Sequence, residues 1–119
     1  MSKIVTAVNA MISNEAKISV AGAKDNELFF VYDGKHKWSL TWTKGEEGEY
    51  WLYFYPGGES IEELLSCPEW EDVVYVTYST KELKTREAKD SFAELYGILE
   101  EKAYGVEEVL DDIIAGSET

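Results

Sequence analysis

The sequence predicts an α+β fold: an antiparallel meander sheet of about five strands, with an N-terminal helix, a short middle helix and two C-terminal helices packed on it, in the order α-β-β-β-β-α-β-α-α. Three observations carry that prediction. "ELFFVYDGKHKWSLTW" (27–42) reads as two strands about an Asp-Gly turn. "EYWLYFYPGG" (49–58) holds five aromatics in six positions and ends on a Pro-Gly-Gly stop. Two Ser-x-x-Glu capping boxes, Ser60–Glu63 and Ser79–Glu82, announce helices after the strands.

The first element is an amphipathic helix over about residues 2–14, because Ile4, Val5, Val8, Met11 and Ile12 recur at helical spacing. Ile18 and Val20, alternating with Lys17 and Ser19, predict a short strand. The Asp33-Gly34 turn suits a two-residue type I′ loop. It pairs Val31 with His36, Phe29 with Trp38 and Glu27 with Leu40. His36, Trp38, Leu40 and Trp42 then form the core face, and Lys37, Ser39, Thr41 and Thr43 the other.

"KGEEG" (44–48) turns the chain into the aromatic strand. Pairing Trp42 with Tyr50, Leu40 with Leu52 and Trp38 with Phe54 adds Tyr50, Leu52 and Phe54 to the core face. Trp51, Tyr53 and Tyr55 fall on the opposite face, beside Leu28, Phe30 and Tyr32. A one-residue slip would exchange the faces. A strand apolar on both sides needs cover twice, from the protein's own helices or from a partner.

Ile61, Leu64 and Leu65 give the short middle helix one apolar side, and Pro68 ends it. "DVVYVTY" (72–78) predicts the fifth strand. The second capping box opens a long helix in which Ala88, Phe92, Leu95, Tyr96, Leu99 and Ala103 recur at three and four. Gly105 breaks it. Val106, Val109, Leu110, Ile113 and Ile114 predict a last short amphipathic helix ending at Gly116.

At 119 residues the chain fits a single domain, 1–119, and 45% apolar content suffices for a core. No apolar run approaches the roughly 20 residues that span a bilayer, and the N-terminus lacks a signal-peptide h-region. The lone Cys67 forms no internal disulfide, as suits a reducing cytoplasm. The expectation is a soluble cytoplasmic protein with no membrane attachment.

The net charge is −13 and is unevenly spread. Residues 1–40 carry +1, residues 41–80 carry −8 and residues 81–119 carry −6. No base occurs between Glu46 and Asp72. Such a field repels phosphates, which disfavours direct nucleic acid binding and favours a protein partner with a basic surface.

No catalytic constellation is present. His36 is the single histidine and stands beside the hairpin turn. One His and one Cys offer no zinc-ligand spacing, and P-loop, dinucleotide and EF-hand patterns are absent, so no metal or cofactor is expected. The acidic pairs of the last helix, Glu107 with Asp111 and Glu108 with Asp112, put like charges four apart on one side.

The candidate binding residues are therefore of two kinds. The aromatic face offers Trp51, Tyr53, Tyr55, Phe30 and Tyr32; the acidic surface offers Glu62, Glu63, Glu69, Glu71 and Asp72, with Trp70 as an anchor. The reading is a small acidic, non-enzymatic protein-binding module, of inhibitor or immunity type, that occupies a basic nucleic-acid-binding site on another protein. The alternatives are a homodimer, or a small-ligand binder or enzyme with a carboxylate-lined aromatic pocket.

Overall fold

The computed structural model describes residues 2–42, 48–66 and 73–117, and for 106 and 107 the backbone only. Its strands are β1 (Ile18–Lys24), β2 (Glu27–Tyr32), β3 (His36–Trp42), β4 (Tyr50–Tyr55) and β5 (Val76–Ser79). They form one antiparallel sheet in the order β1-β2-β3-β4-β5, so each strand lies beside the next in the chain. The helices are α1 (Lys3–Ser13), α2 (Ile61–Ser66), the single turn α3 (Thr80–Leu83), α4 (Arg86–Tyr104) and α5 (Val106–Ser117). The α+β class and the element order are those that the sequence predicts. No helix among the described residues is long and apolar enough to cross a membrane.

α1 and α4 lie on one face of the sheet. Ile4, Val5, Val8 and Met11 of α1 and Ala88, Phe92, Leu95, Tyr96 and Leu99 of α4 bury against Ile18, Leu28, Phe30, Leu40 and Leu52. Two polar contacts fix this layer. Ser91 Oγ donates to Asn9 Oδ1 at 2.7 Å between the helices, and Tyr96 OH donates to the Asn26 carbonyl at 2.7 Å. α2 packs on the opposite face, where Ile61 and Leu64 cover Phe29 and Tyr55. A Cβ on Gly22 would come within 2.4 Å of Leu65 Cδ1, so β1 meets α2 at a residue without a side chain.

The β3–β4 register is the predicted one: Trp42 pairs with Tyr50, Leu40 with Leu52 and Trp38 with Phe54. The β2–β3 register is not. Asp33 and Gly34 take the positive φ of the expected turn, and Lys35 N–H bonds the Tyr32 carbonyl at 3.1 Å. Yet Lys35 is an extra residue, and the ladder pairs Tyr32 with His36, Phe30 with Trp38 and Leu28 with Leu40. The reason is burial. The predicted pairing would put Glu27 among the α4-facing apolar residues, and an unpaired carboxylate there is costly. The observed register gives that place to Leu28 and turns Glu27, Phe29 and Val31 to the other face.

Two further boundaries differ. Ser79 does act as an N-cap, accepting from Glu82 N at 3.1 Å, but it opens only the one-turn α3. Lys84 then turns left-handed at φ 56° and ends that turn. Thr85 opens the long helix instead, its hydroxyl accepting from Ala88 N at 3.1 Å. β5 is shorter than the predicted strand, so Val74 and Tyr75 precede it outside regular secondary structure. Gly105, at φ 65°, caps α4 as expected, and α5 follows.

Candidate functional site

The second face of the sheet is where the aromatic residues were expected to await cover. The structure divides that expectation. Trp51, Tyr53 and Tyr55 do lie there, since their neighbours Thr41, Ser39 and Lys37 point the same way. Phe30 and Tyr32 do not. Phe30 is fully buried under α4 and α1, and Tyr32 packs at the margin of that same cluster. Their removal from the aromatic face follows from the extra residue, Lys35, in the hairpin. Phe29 and Val31 take their place.

α2 covers only part of this face. Tyr55 is buried and its ring stacks on Phe29 with centroids 6.0 Å apart. Lys37 Nζ donates to the Gly57 carbonyl at 2.6 Å and to the Glu59 carbonyl, tying down the approach to α2. Trp51 and Tyr53 are half-buried. Tyr75 is 46% exposed and meets Tyr53 edge-on at 5.4 Å between centroids.

Between these rings a cavity of about 200 Å³ opens, lined among the described residues by Glu27, Tyr53, Tyr55 and Tyr75. Ser39, fully buried on the central strand, lies beneath it. Its hydroxyl donates to Glu27 Oε2 at 2.6 Å. Having given its one proton there, it accepts from Tyr55 OH at 2.8 Å. The relay Tyr55→Ser39→Glu27 thus ends on a carboxylate.

Burial raises the Glu27 carboxyl above its ordinary range; the Ser39 hydrogen bond and the charge of Lys24 oppose that only in part. Burial likewise raises the Tyr55 hydroxyl, against the Ser39 hydrogen bond and with the help of the Glu27 charge. Tyr53 is raised by burial and by the charges of Glu27 and Tyr75. No cation lies within ion-pair distance of Glu27 among the described residues. A second carboxylate, which paired acid–base chemistry would need, does not line the cavity among the described residues.

The Glu27 shift makes a prediction. The folded state holds this proton more tightly than the unfolded chain, whose value is near 4.5. The associated stability is complete below the unfolded value and lost as pH rises through the folded one. Glu27→Gln keeps an acceptor for Ser39 but removes the charge. It is expected to raise stability at neutral pH and to flatten stability against pH on the acid side. Urea unfolding at a series of pH values measures this, and an unchanged slope would show that Glu27 is solvated.

Of the acidic candidates, Glu62 and Glu63 stand exposed on the outer side of α2. Glu69, Trp70, Glu71 and Asp72 lie outside the described residues. The residues that sequence reasoning missed are Glu27, Ser39 and Tyr75. One sign was readable: the predicted register left Glu27 facing Leu40 in the core, a conflict that only a shift resolves.

The second notable surface is α5. Val109, Leu110, Ile113 and Ile114 are 53–63% exposed, so its apolar side is largely uncovered. Glu107, Glu108, Asp111 and Asp112 make four acids in twelve residues, with no base. At the joint with α4 a cavity of about 210 Å³ is lined by Glu15, Glu101 and Glu108, with Lys102 the single cation among its described lining residues. Among the described residues no three His, Cys, Asp or Glu side chains group as metal ligands.

Comparison of the chain with protein-family models, with curated proteins and with solved structures finds no match.

Proposed function

We propose that this chain is an acidic, non-enzymatic protein-binding module that lays its C-terminal helix on a basic surface of another protein, of the kind that nucleic-acid-binding proteins present. The observation that carries the reading is α5: four large aliphatic side chains uncovered on a helix whose only charges are negative. Contiguous exposed apolar surface is uncommon on a monomer and marks contact sites. An amphipathic helix docks by its i, i+3 and i+4 apolar residues in a groove. The flanking acids choose which groove, because basic rims attract them and acidic ones repel them.

The charge pattern favours a different protein over a second copy. Pairing two α5 helices would set four acids against four, a juxtaposition that like charges oppose. A basic partner instead relieves the repulsion of Glu108 with Asp112, like charges four apart on the helix. Glu62 and Glu63 add two exposed acids on α2.

A probe tests this without the natural partner: a fluorescent amphipathic helical peptide of leucine and lysine. Saturable binding is expected, weakening by about an order of magnitude as salt rises from low to physiological strength. Charge reversal at Glu108, Asp111 and Asp112 is expected to weaken it further, and reversal at Glu62 and Glu63 to a smaller extent. Binding that ignores both salt and these reversals would remove the acidic surface from the account.

A further inference from the structure

We propose that the cavity formed by Glu27, Tyr53, Tyr55 and Tyr75 receives one cationic side chain, a lysine or an arginine, from the bound protein. The inference rests on the protein-binding reading and names the group that the second face of the sheet would recognise.

Glu27 is drawn partly out of water and accepts a hydrogen bond from Ser39 at 2.6 Å. Ser39 is itself held by Tyr55 OH at 2.8 Å, so the carboxylate is oriented and not left to swing. A partly desolvated carboxylate is compensated best by a cation at hydrogen-bond distance. Lys24, across the β1–β2 hairpin, offsets the burial only in part and is exposed.

The walls supply the second element of the site. Tyr53 and Tyr75 stand edge-on to one another beside the cavity, and Tyr55 closes it. Ring faces attract ammonium and guanidinium groups, and more strongly where water is partly excluded. A carboxylate with three tyrosines is thus a receptor for a positive charge on an apolar stem. Lysine and arginine carry such a stem. An anion would meet the charge of Glu27, and a neutral sugar would leave that charge uncompensated.

The test uses the whole chain and small probes: N-acetyl-arginine amide and N-acetyl-lysine amide, with glucose and acetate as controls. Carbon-13 spectra of the Glu27 carboxyl and the tyrosine rings report occupancy. The cationic probes are expected to shift Tyr53, Tyr75 and Glu27 together and to lower the pH at which Glu27 titrates. Glu27→Gln is expected to weaken binding about tenfold, and Tyr53→Ala by a similar factor. Lys24→Ala is expected to leave affinity unchanged or raise it. The proposal is overturned if glucose binds as well as the cations, if Glu27→Gln has no effect, or if binding appears only in Lys24→Ala, which would make Lys24 the occupant. The two readings fail separately. Peptide binding that depends on α5 while the amides shift nothing rejects the cavity alone. Amide binding without α5-dependent peptide binding rejects the docking helix and keeps the cavity.

Discussion

Phe92→Ala is expected to cost about 3–5 kcal/mol of folding stability, a large share of the roughly 5–15 kcal/mol that a domain possesses. Phe92 is fully buried where α4 meets α1 and the sheet, in the cluster that holds Val8, Leu28, Phe30 and Leu95. Truncation removes a whole ring from a site that regular elements hold open, so collapse can refill little of the cavity. The melting temperature should fall by roughly 10–20 °C. Urea unfolding followed by tryptophan fluorescence measures the change. A loss under about 1 kcal/mol would mean that α4 is not seated on the sheet as described.

Burial on one side makes some elements legible in the sequence and hides others. Helical spacing at Ala88, Phe92, Leu95 and Leu99 and at Ile4, Val8 and Met11 identifies both core-facing helix sides, because a helix buried on one side must repeat at three and four. The β3–β4 register followed from the length of the 44–48 turn, since "YWLYFY" is itself apolar on both sides; the alternation of β3 showed only which of its own faces is buried. β2 has no such alternation. "ELFFVY" is apolar on both sides, so turn chemistry alone set its phase, and one extra residue, Lys35, reverses it.

The candidate site inherits that reversal. Tyr53 and Tyr55 were legible as residues of the second face, because they follow β3. Their partner Glu27 was not, since its face depends on the β2 phase. Ser39 was placed with Lys37 and Thr41 on the polar side of β3, yet it is fully buried by the neighbouring Tyr55 and the chain around it. Burial of a small polar residue is invisible in its own neighbourhood, because it is decided by what the other strands lay across it. Tyr75 belongs to the site through its contact with Tyr53, a tertiary fact that strand propensity cannot supply.

Ile113→Asp with Ile114→Asp is expected to leave folding stability within about 0.5 kcal/mol of the parent and to weaken binding of the amphipathic basic peptide by about a hundredfold. The two halves of the expectation have one cause. These side chains are 63% and 56% exposed, so in the free protein they contribute little to the core. In a groove each would bury an aliphatic side chain worth about 1.5–3 kcal/mol, and the substitution replaces that gain with a desolvated carboxylate. Added charge alone does not explain a loss, because a basic partner attracts more acid. Only a contact that needs apolar burial is lost when the negative charge increases.

The free helix has its own reasons to be weakly held. Twelve residues is near the lower limit for a helix without tertiary support. Glu108 with Asp112 adds a like-charge pair, which the apolar pairs Val109–Ile113 and Leu110–Ile114 partly offset. Backbone amides of α5 should therefore exchange faster than those of α4 in the free protein, and slow when the peptide binds. Sedimentation of the parent at rising concentration decides between partners. A monomer throughout supports the basic partner. A dimer that the double substitution dissociates would assign the same apolar face to a second copy, against the repulsion of the eight acids that such a pairing brings together.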